Sequence, residues 1–103
     1  MAFSKAPLYT PKDQITSTYA RALAHPARLE IIRKLSTDGP CTVKVLNKAH
    51  PISQESMSYH LRKLREANLV SCKEKFPFTF YSLEKENLVT AEQKLNDFFQ
   101  TAI

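Results

Sequence analysis

At 103 residues the chain has room for one domain with one modest core, and its 43% hydrophobic and 24% charged residues exclude a disordered or fibrous class. A net charge of +5 favours a polyanionic partner, and nucleic acid is the commonest. Two distant cysteines, Cys41 and Cys72, do not make a disulfide framework; no apolar run approaches the about 18 residues of a membrane span, and Met1–Pro7 has no signal-peptide pattern, so a cytoplasmic chain with reduced thiols is expected.

Residues 1–9 read as a loose, flexible arm, followed by a single domain over 10–103. Thr10-Pro11-Lys12-Asp13 is a helix start, with Thr10 as cap, Pro11 at the first helical position and Asp13 placed like a capping-box acid. Ile15, Tyr19 and Leu23 follow at four-residue spacing as one apolar stripe. Pro26 ends that helix and opens a second, whose core face is expected to carry Leu29, Ile32 and Leu35 with Ile31 beside them. Gly39-Pro40 stops it. A third, short helix spans about 42–49, with Val43 and Leu46 inward, and His50-Pro51 breaks it.

A fourth helix begins at the cap Ser53 and runs to Ala67, where Asn68 tolerates a left-handed end. Leu69–Lys73 and Thr79–Leu83 are β-prone around Phe76-Pro77, which predicts a hairpin. Leu88, Ala91, Leu95, Phe98 and Ala102 mark a last amphipathic helix. The order α-α-α-α-β-β-α is mainly helical with a small hairpin wing, the outline of a winged helix-turn-helix. A core this small leaves the terminal helices with apolar faces to cover, which favours an oligomer.

On the fourth helix Met57, Leu61 and Leu64 share one narrow arc that must face the core. Gln54, Glu55, Ser56, Ser58, Tyr59 and Arg62 lie away from it, and Ser53, Lys63, Arg65, Lys73 and Lys75 flank that surface. Major-groove readers need polar side chains near the helix N-terminus for base edges and cations further along for phosphates. A polar face opposite an apolar stripe is by itself an ordinary solvated surface. Its position between a short helix and a hairpin is what favours DNA.

Three strings carry a family resemblance: Ala22-Leu23-Ala24-His25-Pro26-Ala27-Arg28-Leu29-Glu30-Ile31-Ile32, the stretch from Ile52 through Val70, and Phe80-Tyr81-Ser82-Leu83. Together they resemble the ArsR family of bacterial winged helix-turn-helix repressors over roughly residues 15–100. The resemblance implies a homodimer on an inverted-repeat operator, joined through its first and last helices, with Ile15, Tyr19, Leu88, Ala91, Leu95, Phe98 and Ala102 at the seam. It implies base contacts from Gln54, Glu55, Ser58 and Tyr59 on two helices about 34 Å apart.

The sequence departs from that pattern at the wing tip, where Phe76 and Pro77 stand in place of a glycine and an arginine, and at Asn68 in place of a glycine. The family's metal-ligand places on the third helix fall on Thr42 and Lys44, and the last helix has no histidine, so no metal and no cofactor is expected. A sensor role is left to Cys41 and Cys72 as a reversible disulfide, giving a redox-switched repressor. Against this, the segment before the third helix pairs with the second wing strand in winged helices, which sets the thiols one strand too far apart. A third reading is a protein-interaction module docking through the aromatic wing. With one glycine there is no phosphate-binding loop, and no nucleophile has an evident base, so an enzyme is not expected.

Overall fold

A computed structural model describes residues 8–103; most of the anticipated arm, residues 1–7, lies outside the described residues. Five helices and one hairpin follow in the anticipated order: α1 Pro11–Ala22, α2 Pro26–Asp38, α3 Val43–Ala49, α4 Gln54–Glu66, β1 Val70–Lys75, β2 Phe78–Leu83 and α5 Lys85–Ala102.

Each of the first four helices starts where a side chain can accept from its free N–H groups. Thr10 accepts from the Asp13 N–H at 3.1 Å, Thr42 from Val45 at 3.3 Å and Ser53 from Ser56 at 3.0 Å. At α2 the cap is a histidine: His25 Nδ1 accepts from the Ala27 N–H at 3.0 Å, with Pro26 at the first helical position. The ends are equally local. Gly39 closes α2 with φ +77°, and Asn68 follows α4 with φ +59°, a conformation that asparagine tolerates better than β-branched residues.

The core is one cluster. Ile31, Leu35, Leu46, Met57, Leu61, Leu64 and Leu69 are its largest fully buried side chains, contributed by α2, α3, α4 and the lead into β1. On α2 the expected face is partly wrong. Ala27, Arg28, Ile31 and Leu35 are the buried residues, Ile32 packs partly against the core, and Leu29 is exposed. Leu29 lies about 120° around the helix from Leu35, beyond the edge of the arc that the core covers.

The strands pair antiparallel, Val70 with Leu83 through Lys75 with Phe78. A third rung joins them: Cys41 and Tyr81 exchange backbone hydrogen bonds of 3.0 and 2.7 Å. β2 therefore lies between β1 and the segment that feeds α3. α1 and α5 pack on each other, and the described residues spread over 46 × 41 × 23 Å with a radius of gyration of 16.0 Å. A compact single domain of this length has a radius of about 12–13 Å, so the fold is unusually open. No described helix is long and apolar enough to cross a membrane.

Candidate nucleic-acid interface

Met57, Leu61 and Leu64 are 0–1% exposed and pin α4 along one side. With that side fixed, Gln54, Glu55, Ser58, Tyr59 and Arg62 must face outward, and together they line one shallow open depression. All five are exposed. Arg65 is exposed beside them, and Lys63 is half-buried with its ammonium 3.6 Å from Glu66. Ser56 is exposed too, but it sits on the flank; the Ser53 hydroxyl donates to Ser56 Oγ at 2.9 Å, so both serines are engaged at the cap.

The cations are organised around one ring. Arg62, Lys63 and Arg28 place their charged groups 5.3, 5.5 and 5.8 Å from the centre of Tyr59. This is cation–π range, and it concentrates positive charge at the middle of α4.

Arg28 is the residue that sequence reading missed. It is buried, donates from Nε to His60 Nδ1 at 3.2 Å and from Nη1 to the Arg21 carbonyl at 3.0 Å. It thus ties the end of α1 to the back of α4. Accepting that bond requires His60 Nδ1 to carry no proton. Burial pushes the His60 pKa down, and the nearby charges of His25, Arg28 and His50 push it the same way. The His25 and His60 rings lie 4.2 Å apart, tilted by 42°. His25 thus serves as a cap and His60 as a buried packing residue. The signal for Arg28 lay in the His25-Pro26-Ala27-Arg28 string, but nothing in periodicity marks an arginine as buried.

On the wing, Lys73 and Lys75 are exposed on β1. The terminal helices present Ile15, Val89, Phe98 and Phe99, each 45–51% exposed, along with Ala102. Tyr19, Leu88 and Leu95 are half-buried, and Tyr19 and Leu88 pack against the core. Ala91 departs from expectation: at 1% exposed it fills the protomer's own core and has no surface left for a seam.

Residues 23–72 match the model of a helix-turn-helix domain. The chain is 35% identical over 68 residues to the arsenical resistance operon repressor of Bacillus subtilis (strain 168), a match covering 66% of this chain and 65% of that relative, just under two thirds of its length. Among solved structures, a possible transcriptional regulator for arsenical resistance is 30% identical over 82% of each chain, with a TM-score of 0.68. The chain belongs to the ArsR family of helix-turn-helix transcriptional regulators. An ArsR-like transcriptional regulator from Rhodococcus sp. RHA1 shares the fold at 18% identity, with a TM-score of 0.77 over 89% of this chain and 86% of that one.

Family and fold are those of transcriptional regulators, not enzymes. Among the described residues of this ArsR-family chain, no three His, Cys, Asp or Glu side chains gather as metal ligands. The thiols do not meet either. Cys41 and Cys72 both partner Tyr81, from opposite sides, so they stand two strands apart, about 9–10 Å. A disulfide needs Cα atoms within about 7 Å. Cys41 is also buried, which pushes its pKa up, and its Sγ lies 3.3 Å from the Gly39 carbonyl. A direct Cys41–Cys72 switch is therefore ruled out by strand order.

Proposed function

We propose that this ArsR-family regulator is a sequence-specific repressor that binds double-stranded DNA in the cytoplasm as a homodimer on an inverted-repeat operator. The observation that carries this reading is the outward Gln54–Glu55–Ser58–Tyr59–Arg62 face on a helix anchored by three fully buried residues. A major groove about 12 Å wide admits such a helix. Gln54 suits a bidentate contact to adenine, and Ser58 can donate or accept. Arg62, Lys63, Arg65 and Lys73 supply phosphate contacts.

The dimer is supported by the open shape and by the apolar side chains Ile15, Val89, Phe98 and Phe99 that α1 and α5 leave uncovered. Two-fold symmetry then sets the two α4 helices about one DNA turn apart, near 34 Å. That the Bacillus subtilis relative is named a repressor supports the direction of regulation.

Selection of bound duplexes from a random pool tests the reading, first at low salt and then at rising salt. The expected product is an inverted repeat with half-site centres about 10–10.5 base pairs, or a multiple of it, apart. Failure to retain any duplex at low salt would remove the DNA reading. It would leave the protein-interaction reading, which the exposed Phe76 and Phe78 favour.

A further inference from the structure

The wing has a surface that the α4 contacts do not use. Lys73 pairs in register with Phe80 and Lys75 with Phe78, so these four side chains project from the same side of the hairpin. Tyr81 and Leu83 belong to the other side and pack against the core. The outer side thus sets two lysines on β1 beside two phenyl rings on β2, with Phe78 and Phe80 in edge contact at 6.2 Å. Phe76 stands at the tip, 98% exposed and followed by Pro77. A phenyl ring so exposed, next to Phe78 and two exposed lysines, suits an occupant that takes both charge and apolar surface.

Duplex DNA has both properties. The hairpin strands are six residues long, which sets the tip about 20 Å from the root of the hairpin at Val70 and Leu83. With α4 in a major groove about 12 Å wide, that reach crosses the next phosphate ridge to a minor groove about 6 Å wide. There lysines on the hairpin face meet phosphates, and apolar side chains can be inserted between base steps.

The geometry points to Phe76 as an apolar wedge in the minor groove flanking each half-site, held there by Lys73 and Lys75 on the phosphates. The inference rests on the DNA-binding reading above and adds a second mode of sequence selection to it. Flanking steps that unstack easily, pyrimidine–purine steps such as TA and CA, are preferred over stiff A-tracts, although no side chain reads their edges. An arginine at the tip would select the opposite flank, because A-tracts narrow the minor groove and attract cations.

The test uses the full chain and the selected operator, with 2-aminopurine placed at successive steps outside each half-site. Wild-type protein is expected to raise the fluorescence several-fold at one step on each side and to bind TA-flanked operators about tenfold tighter than A-tract-flanked ones. Phe76→Ala should abolish both effects, while Phe76→Leu should keep part of each. Neither substitution touches the core, and circular dichroism checks the fold. If Phe76→Ala matches wild type in fluorescence and flank preference, or if wild-type binding leaves every flanking step stacked, the wedge is wrong and the DNA reading stands. If wild-type protein is retained by no duplex, the DNA reading itself fails and the wedge with it.

Discussion

Tyr59 lies where the hydrogen-bonding and the cationic halves of the α4 surface meet, with three cations within 6 Å of its ring. Residues proposed to face bases and residues proposed to face phosphates should behave differently when changed. Gln54→Ala is expected to lose discrimination at one or two base pairs by about 1–3 kcal/mol while leaving random DNA nearly unaffected. Lys73→Ala should instead weaken all sequences alike and shallow the dimer's salt slope by about 2, one contact from each protomer. Binding isotherms on specific and random duplexes separate the two, and equal losses for Gln54→Ala would end its base-reading role. His60 gives a pH prediction. Its folded pKa lies below the unfolded value of about 6.5, so the unfolded chain binds the proton more readily. Stability is full above that unfolded value and falls as the pH drops from there toward the folded pKa, because protonation removes the acceptor for Arg28 and adds a charge beside it. Thermal melts from pH 7.5 to 5 should show this loss, and His60→Gln should flatten it.

At the scale of elements, α4 depends on its anchors. Met57→Ala is expected to cost about 2–5 kcal/mol in denaturant titration, since the site is fully enclosed. Element starts were legible because they are chemically local: Thr10-Pro11, Pro26, Thr42 and Ser53 each cap or open a helix where the sequence puts them. Faces were less so. The α2 arc includes a small residue, Ala27, and a polar one, Arg28, so counting large apolar positions rotated it toward Leu29. On α5, Ala91 belongs to the amphipathic stripe but faces its own protomer, and a one-dimensional pattern cannot tell an inner seam from an outer one. The outward face of α4 was readable because its opposite side carries Met57, Leu61 and Leu64 without ambiguity, whereas the Arg28–His60 bond joins residues 32 apart and needed coordinates.

For the whole molecule, the uncovered faces of α1 and α5 predict the assembly. Phe98→Asp combined with Phe99→Asp should shift sedimentation from dimer to monomer and weaken operator binding, because one half-site then loses its tethered partner. A wild-type chain that sediments as a monomer at micromolar concentration would contradict the dimer. Binding should also be steeply salt-dependent: if two protomers neutralise about 8 phosphates, log K falls with log salt at a slope near −7. A slope near zero would argue that the positive charge serves solubility alone.

The rung between Cys41 and Tyr81 has a mechanical meaning. Because the hairpin is stitched to the approach to α3, it is braced like a bracket at its root rather than hung from one end. A force applied at the tip is transmitted to α3 and, through its packing, to α4, so in the proposed DNA complex the wing's grip and the alignment of α4 are expected to tighten or slacken together.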